Sequence, residues 1–551
     1  MNTILRIWAI LFCGGLTIIQ VEAQQDSPFA ENFPSIQILK NDSNSPGVLF
    51  SRNGIGVERF ATIYDTDGTL IFAQRANVIT NMNYHPAVNK LSYFDADLSC
   101  FQILNAKYEL ETTLCTTSGS TDIHDLLILP NNHKVAFAAI PVIMDLSSEL
   151  TLVDTARQVR HFVIEKFTEN NIAYVFWNTL NHFDITDLPE SIIPNANGEI
   201  NLLHMNAIEP VNDSIFLISL RTINQIAKIN IFTDEVIWRL GGNRNEFTFV
   251  NDDRGFTDQH NVRLLPNGNI TIFDNGNYHP EPYSSMIEYE LDEENMTATL
   301  VRRTVSDSLY NSGKKGGGQR LPNGNDFIDW GQNLEPVTAT EITPDGETIW
   351  SAYFPKSNYR ITKYPFKSDV FESTDTLTFS PTNAIQTVEI TNQTDDFLVI
   401  NGYEVKSEYF KLITTLPVEI GAGNTAIFEV EYLANTDTLK DVLTLFSDSE
   451  DRRIGHQIFL KTDDNMSSIT PLSSASNIKI YPNPVVENLL VNFEKAQTKQ
   501  VVLYDSNGVK ILEQAVNEKQ YSLSLKHLQA GIYYLLIEED GQRFCERVVK
   551  L

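Results

Sequence analysis

Residues 258–276 read DQHNVRLLPNGNITIFDNG, and their pattern indicates how the chain is built. Two short apolar runs flank Pro-Asn-Gly, and an Asn-Gly pair favours the positive φ angles of tight hairpin turns. Polar side chains stand at both open ends of this hairpin, namely Gln259, His260, Asn261, Arg263, Asp274 and Asn275. The stretch therefore predicts a β-hairpin whose open end is either ordinary surface or one wall of a reaction site.

The turn inside this hairpin recurs along the chain. It appears as LPNNHKV (129–135), LPNGNIT (265–271), LPNGNDF (321–327) and TPDGETI (343–349), and more weakly as PVNDSIF (210–216). The spacing between Asn267 and Asn323 equals the spacing between His204 and His260. A repeat of several strands at this length predicts a β-propeller. A β-sandwich with common turns is the alternative.

The composition excludes some classes of partner. The 551 residues have a formal net charge of −30, and 42% of them are hydrophobic. Such a field repels phosphate backbones and anionic lipid, so neither nucleic-acid nor membrane-surface binding is expected. An anionic substrate would need local positive charge.

The N-terminus has the features of an export signal at residues 1–23. Arg6 is followed by an apolar segment, Ile7 to Ile19, and by the small-residue cleavage site at Val21 to Ala23. No other segment is long enough to span a bilayer, so no membrane span is expected in the mature protein. Cys100 and Cys115 either pair as a disulfide or remain two buried thiols.

Short strand-like segments separated by turn residues continue through the rest of the sequence. They predict an all-β, multidomain protein. We expect a propeller at 24–365, an immunoglobulin-like β-sandwich at 366–462 and a Ser-rich linker at 463–477. A compact strand-rich unit occupies 478–551.

Residues 478–551 resemble the C-terminal sorting domain of the type IX secretion system. The matching words are YPNPVVENLLVNF (481–493), LYDSNGVKI (503–511), LQAGIYYLLI (528–537) and the terminal ERVVKL. The resemblance implies export through the periplasm and outer membrane by that machinery, to the cell surface or the medium.

Several histidines occupy comparable places in the repeat. His124 and His260 stand equally far before Asn131 and Asn267 of their turns, and His204 has nearly the same position. A radial repeat brings equivalent positions together around one axis. We therefore expect three imidazoles to converge at one mouth of a central channel, with Asp125, Asn206 and Asn261 beside them. In contrast to these three, four further histidines are predicted to be surface or turn residues, namely His85, His133, His279 and His456.

Residues 120–350 resemble the bacterial arylsulfotransferase family, propeller enzymes that work without the nucleotide donor PAPS. The matching words are IHDLLILPN (123–131), WNTLNHFDITD (177–187), HMNAI (204–208), ISLRTINQIAKIN (218–230), VIWRLGG (236–242), DQHNVRLLPNGNITIFDNG (258–276), IEYELDEENMTATLV (287–301) and QRLPNGNDFIDWG (319–331). The resemblance implies sulfuryl transfer from an aryl sulfate to a phenol through a sulfated histidine, with no cofactor and no metal.

The same resemblance implies roles for individual residues. Catalytic roles fall to His204, His260 and Arg221. Substrate-binding roles fall to His124, Asp125, Asn206, Asn261, Arg263 and His182. Neutral imidazole suits attack on sulfur, and histidine or arginine donors suit oxygens that gain charge.

Two departures from the family pattern favour a second hypothesis. The position expected for the sulfated histidine, after the DNG word, is Gly316, and an expected arginine is replaced by Ser285. Lys314 and Lys315 are the nearest alternative cations. The second hypothesis is therefore an inactive surface propeller that binds a sulfated, phenolic or glycan ligand.

Overall fold

The protein, seen here in a computed structural model, is built from β-strands joined by turns. The structure describes residues 23–551 except 26, 44, 79, 81, 147–155, 189–198, 333–336, 357, 381–382, 434–438, 463–468, 472–477, 506–508 and 540–541. Within these residues there is no α-helix, and the 3-10 helices are Ala30–Asn32, Thr179–Asn181 and Ile185–Asp187. The all-β class is thus confirmed, while the predicted signal peptide and most of the predicted linker lie outside the described residues.

The strands up to residue 364 are, in chain order, β1 (Ala23–Gln25), β2 (Gln37–Asn41), β3 (Val48–Asn53), β4 (Phe60–Tyr64), β5 (Leu70–Arg75), β6 (Asn83–His85), β7 (Lys90–Asp95), β8 (Cys100–Leu104), β9 (Leu110–Leu114), β10 (Ser120–Ile128), β11 (Lys134–Asp145), β12 (Ala156–Phe167), β13 (Ala173–Asn178), β14 (Ile200–Asn201), β15 (Met205–Pro210), β16 (Ile215–Leu220), β17 (Gln225–Asn230), β18 (Glu235–Gly241), β19 (Thr248–Val250), β20 (His260–Leu264), β21 (Ile270–Asp274), β22 (Ser285–Asp292), β23 (Thr297–Thr304), β24 (Gly317–Arg320), β25 (Asp326–Asp329), β26 (Ala339–Ile342), β27 (Thr348–Tyr353) and β28 (Thr362–Tyr364).

Six groups of four antiparallel strands in the described part of the chain are built alike, some of them within larger sheets. We number these blades by their strand order: blade one is β28-β3-β4-β5, blade two β6-β7-β8-β9, blade three β10-β11-β12-β13, blade four β15-β16-β17-β18, blade five β20-β21-β22-β23 and blade six β24-β25-β26-β27. Contacts between the first strands of the blades, or their neighbours, link each blade to the next and return from blade six to blade one. The ring of sheets is a β-propeller, as predicted.

The ring is closed by strands from both ends of this region. β28 supplies the first strand of blade one and pairs with β3, with Thr362 opposite Phe50. β2 joins the outer edge of blade six by pairing with β27. Residues far apart in sequence therefore complete single sheets. This pairing protects the sheet edges of blades one and six.

The hairpin at 258–276 forms as predicted, and His260 pairs with Phe273. Its turn is longer than an Asn-Gly two-residue turn. The amide of Gly268 donates to the carbonyl of Leu265 at 2.9 Å, and Gly268 alone has positive φ, at 90°. Pro266 thus occupies the second position of the turn, where its fixed φ is favourable, and glycine supplies the left-handed residue.

Apolar side chains from adjoining blades pack between the sheets. Trp238 and Leu240 of blade four and Ile272 and Tyr289 of blade five belong to one such cluster, and none of these residues is more than 3% exposed. Burial of each large apolar side chain stabilises the fold by about 1.5–3 kcal/mol. Two histidines predicted as surface residues, His85 and His456, are also buried, because the neighbouring strands cover them.

The strands after residue 370 are β29 (Phe371–Glu372), β30 (Thr376–Phe379), β31 (Ile385–Asn392), β32 (Leu398–Ile400), β33 (Gly402–Val405), β34 (Phe410–Leu412), β35 (Val418–Ile420), β36 (Thr425–Tyr432), β37 (Lys440–Asp448), β38 (Arg452–Thr462), β39 (Ile469–Pro471), β40 (Lys479–Tyr481), β41 (Asn488–Asn492), β42 (Lys499–Tyr504), β43 (Lys510–Val516), β44 (Gln520–Ser524), β45 (Gly531–Glu539) and β46 (Gln542–Lys550).

The sheet that follows the propeller is continuous with it. β1, β33, β37 and β38 form a run of strands, and β38 pairs with β5 of blade one, with Ile454 opposite Phe72. A second sheet, β29-β31-β36-β34, shares one apolar core with this run and with blade one. The immunoglobulin-like topology and the boundary at 366 stay predictions.

The last segment forms two further sheets, β39-β46-β45-β42-β43 and β40-β41-β44, around a separate apolar core. Cys100 and Cys115 form a disulfide that joins the first strand of the β8–β9 hairpin to the residue after its second. In the described ranges, no helix is both long and apolar enough to cross a membrane.

Candidate functional site at the hub of the propeller

Three histidines from successive blades meet where the innermost strands begin. His124 lies within β10, His204 directly precedes β15, and His260 is the first residue of β20. The ring centroids of His124 and His204 are 4.9 Å apart, and those of His204 and His260 are 6.4 Å apart. Tyr359 lies 5.4 Å from His124 and 6.3 Å from His260, ring to ring. We call these four residues the imidazole cluster.

Unusual backbone conformations place these groups. His204, Asp258 and Asn261 all have positive φ, at 43°, 58° and 56°. The inner strands β10, β15 and β20 each have a register shift at the cluster, for example between His260 and Arg263. Left-handed conformations of residues other than glycine cost about 1–3 kcal/mol each and concentrate at functional sites.

His260 is held as one tautomer by Asn275. The amide nitrogen of Asn275 donates to the carbonyls of Ser312 and Lys315, both at 3.0 Å, so its oxygen faces Nδ1 of His260 at 2.7 Å. Nδ1 of His260 must therefore be the donor, and Nε2 keeps its lone pair. Burial, and next the charge of Arg221, lower the pKa of His260 well below its ordinary value. The ring is neutral at physiological pH.

His204 is held as the opposite tautomer. The oxygen of Asn201 accepts from the backbone amide of His204 at 2.8 Å, which turns the Asn201 nitrogen toward Nδ1 of His204 at 3.4 Å. Nδ1 is therefore the acceptor, and the proton lies on Nε2. Burial, and next the neighbouring His124, lower the pKa of His204 well below its ordinary value. His204 thus offers an N–H donor and His260 a lone pair.

His124 and Arg221 each have a carboxylate partner. Nδ1 of His124 faces Asp122, whose oxygen also accepts from the His124 amide at 3.0 Å. Arg221 pairs with Asp258, which is almost fully buried. These carboxylates fix the two cationic or proton-donating groups over the hub.

Arg221 brings positive charge to the cluster, since it adds to burial in lowering the pKa values of His204 and His260. The backbone carbonyl of Lys315 accepts from Asn275, and burial, together with nearby Arg52, lowers the pKa of the Lys315 ammonium group. An anionic substrate needs local positive charge of the kind that Arg221 supplies in a protein of net charge −30.

A layer of polar contacts lies beneath the imidazole cluster and includes Asp125, Asn206 and Asn261. The amide of Asn206 donates to the carbonyl of Gln259 and that of Asn261 to the carbonyl of Gly318, both at 2.8 Å. The carboxylate oxygens of Asp125 form salt bridges with guanidinium nitrogens of Arg263, at 3.2 Å, and of Arg360, at 3.5 Å. These residues fix the inner strands to one another, and Arg263 faces away from the cluster.

His182 does not join the other predicted site residues. Its ring stacks on Trp177 with centroids 4.6 Å apart, and Nε2 lies 2.8 Å from Asp234 in the β17–β18 turn. That turn joins the two outermost strands of blade four. A substrate-binding role for His182 has no geometric support.

The two departures from the family pattern have structural reasons. Gly316 has φ of 92°, and a β-carbon there would lie 2.5 Å from the Phe273 ring, so a histidine does not fit. The hydroxyl of Ser285 accepts a hydrogen bond from the guanidinium group of Arg303 at 2.9 Å, and Arg303 also forms a salt bridge with Asp252 at 2.8 Å. Arg303 on the neighbouring strand thus brings a guanidinium group to the position of Ser285, where the family pattern has an arginine. Neither Lys314 nor Lys315 is needed to supply that charge.

Sequence patterns missed Tyr359 and Arg360, which follow β27 outside every repeated word. The sequence places Asn275 at the open end of the hairpin but does not predict its partnership with His260. Asp122 stands two residues before His124, its partner, and this spacing is a usable signal for an orienting carboxylate. Asp258 stands two residues before His260 but pairs with Arg221 instead.

Comparison with known proteins agrees with this geometry. Residues 103–355, which include all three histidines of the cluster, match the family model described as Arylsulfotransferase (ASST). Residues 479–551 match the Secretion system C-terminal sorting domain. The sorting domain indicates export, with the protein at the cell surface or secreted. A search of the curated proteins found no match.

Solved structures resemble the chain only distantly. PorZ, a surface component of the type-IX secretion system of Porphyromonas gingivalis, is 10% identical with a TM-score of 0.27, covering 90% of this chain and 75% of that one. A catalytically inactive virginiamycin B lyase from Staphylococcus aureus with quinupristin is 8% identical with a TM-score of 0.29, covering 72% and 98%. KlHsv2 with loop 6CD replaced by a Gly-Ser linker is 12% identical with a TM-score of 0.29, covering 73% and 99%. No argument rests on these likenesses.

Proposed function

We propose that this chain, a member of the arylsulfotransferase family through residues 103–355, transfers a sulfuryl group from an aryl sulfate to a phenol without a nucleotide cofactor. The observation that supports this most is the pair of opposite tautomers at the hub. His260 presents a lone pair and His204 presents a proton, and both rings are neutral.

His260 is the nucleophile in this proposal. Its Nε2 lone pair forms a bond to sulfur while the bond between sulfur and the aryl oxygen breaks, and the phenolate leaves. In the second half, the oxygen of the acceptor phenol attacks sulfur, its proton passes to Nε2 of His124, which gave up a proton in the first half, and the N–S bond breaks and returns the lone pair to Nε2 of His260. A neutral imidazole suits the first step because it does not repel the sulfate oxygens. The absence of a histidine at 316 then no longer argues against turnover.

The neighbouring groups supply donors. Nε2–H of His204 and the guanidinium of Arg221 are placed to bind sulfuryl oxygens, whose charge changes during transfer. His124, whose Nδ1 is paired with Asp122, is the proposed proton donor from Nε2 to the departing phenolate oxygen. Removal of one such donor typically costs about 10²–10³ in kcat.

The direct test incubates the full chain with 4-nitrophenyl sulfate and phenol and measures release of 4-nitrophenolate. We expect His260→Ala to reduce the rate by more than about a thousandfold, as loss of a nucleophile does. His133→Ala is the matched control, because His133 contacts Tyr174 on an exposed edge of blade three. A rapid acid-free quench should show the added mass of one SO₃ group on the peptide containing His260.

The competing hypothesis, an inactive binding propeller, predicts a different pattern. Wild type would then bind the aryl sulfate and release no phenolate above the His260→Ala background. Release that is unchanged in His260→Ala would instead show that another residue is the nucleophile.

A further inference from the structure

The channel of the propeller has a cavity on the side away from the imidazole cluster. The innermost strands of all six blades contribute residues to its lining, and its volume is about 490 Å³. Residues near the strand ends, such as Tyr84, Glu209, Leu264, Arg320 and Tyr364, line it. Cavities of roughly 300–1,000 Å³ are typical of small-molecule sites.

The polar layer separates the two ends. Asp125, Asn261, Arg263 and Arg360 line the cavity from one side, while His204 and His260 do not border it. Tyr359 belongs to the cluster, and its hydroxyl donates to the carbonyl of Asn206 at 2.9 Å across this layer. A molecule in the cavity is therefore kept from the imidazoles by protein atoms.

The charge of the cavity favours an anion. Arg263 and Arg360 share the carboxylate of Asp125, at 3.2 Å and 3.5 Å. The other carboxyl, Glu209, lies 3.7 Å from Arg263, and burial raises its pKa to about 7, so it is only partly ionised at neutral pH. Two guanidinium groups, one buried (Arg360) and one partly exposed (Arg263), thus line the cavity beside Asp125 and a Glu209 that is only partly ionised at neutral pH.

The walls of the cavity favour an organic body on that anion. The rings of Tyr84 and Tyr364 meet edge to face with centroids 5.7 Å apart. Leu265, Pro130 and Pro266 from the repeated turns form the opposite rim. Aromatic and aliphatic walls around a few convergent polar groups hold amphipathic small molecules rather than bare ions.

We propose that this cavity is a second binding site, for a small aromatic carboxylate whose carboxyl group pairs with Arg263 and Arg360 and whose ring packs against Tyr84 and Tyr364. The site is separate from the imidazole cluster and requires no turnover. It gives the propeller two ligand sites at opposite ends of one channel.

The test measures binding of 1-naphthoate to the full chain by titration calorimetry. We expect one saturable site in wild type that persists in His260→Ala. Ala87→Trp places an indole at the cavity mouth on an exposed turn and should weaken binding by at least about tenfold. Val57→Trp adds the same side chain at a position that is 95% exposed and should not change the affinity.

Charge variants complete the test. Arg263→Met should weaken binding, and Glu209→Gln should strengthen it above neutral pH because a negative charge is removed beside the ligand. The proposal is overturned if wild type shows no saturable binding, or if inorganic sulfate binds as tightly as 1-naphthoate. It is equally overturned if binding is lost in His260→Ala and kept in Ala87→Trp, since the ligand would then lie at the imidazole cluster.

Discussion

Single amide side chains decide what the imidazoles at the hub can do. Asn275 leaves the lone pair of His260 on Nε2, while Asn201 leaves the proton of His204 on Nε2. The two rings lie close together, yet they have complementary roles toward one sulfuryl group. In each ring, the hydrogen-bond partner of Nδ1, rather than the histidine itself, decides whether Nε2 donates or accepts.

This explains which site residues the sequence could reveal. His124, His204 and His260 are recognisable because equivalent positions in a radial repeat meet at the axis. Asn275 is not, because its partnership depends on the pairing of β20 with β21 and on the path of the segment that contains Lys315. His182 shows the converse error, since a histidine within a matching word can lie at the outer edge of a blade.

Asn275 gives the sharpest residue-scale prediction. We expect Asn275→Leu to lower kcat by about 10²–10⁴ with a smaller effect on KM, as in other enzymes whose histidine loses its orienting partner. Asn275→Asp keeps an acceptor at Nδ1 and should retain more activity. Its carboxylate should also move the acidic limb of the pH–rate profile upward, because a nearby anion stabilises imidazolium.

The pH–rate profile separates positioning from simple structural damage. A variant that is only less stable loses activity at every pH and keeps the position of the acidic limb. If both variants lose activity equally and the limb does not move, Asn275 is a structural residue and the tautomer argument fails.

Among the strands, the ring of blades is closed by strand pairs that no local sequence pattern predicts. The repeated turns predict the hairpins of blades three to six, because Pro and Gly satisfy particular backbone angles. The pairing of β28 with β3, and of β38 with β5, joins residues hundreds of positions apart and follows from the geometry of the whole ring. Strands from both sides of the boundary predicted near residue 365 therefore pair in one sheet, and the boundary itself stays a prediction.

The Cys100–Cys115 disulfide spans a sequence separation of 15 and ties the two strands of the β8–β9 hairpin together at its open end. A loop of this length is expected to contribute about 3 kcal/mol in the chain-entropy estimate. The double variant Cys100→Ser/Cys115→Ser should therefore unfold at a lower urea concentration than wild type. Reductant should lower the midpoint of wild type toward that of the double variant and leave the double variant unchanged.

Cys545→Ser is the control, because this cysteine lies in the C-terminal segment and has no disulfide partner among the residues that the structure describes. It should respond to reductant as wild type does. Equal midpoints for wild type and the double variant would show that the disulfide adds nothing to the stability of blade two.

For the whole molecule, the cationic groups of the channel contrast with the overall charge. The chain has a formal net charge of −30, whereas Arg221 lies by the imidazole cluster and Arg263 and Arg360 line the cavity. The sorting domain indicates export to the cell surface or the medium. Both proposals predict that these few positive groups, rather than the overall charge, govern the binding of small anions there.

Buried neutral histidines make the stability of the whole molecule depend on pH. Burial lowers the pKa values of His85 and His456 from 6.5 to about 4, so in each case the unfolded chain binds a proton more readily than the folded one. Their contribution is fully present above about pH 6.5 and is lost as the pH falls toward about 4, on the order of 3 kcal/mol for each residue. We expect the urea midpoint to fall across this range, and to fall less steeply in His456→Gln, which keeps a polar partner for Ser373. The exposed His527→Gln should retain the wild-type slope. An unchanged slope in His456→Gln would mean that His456 is protonated in the folded state, with Asp375 compensating its burial.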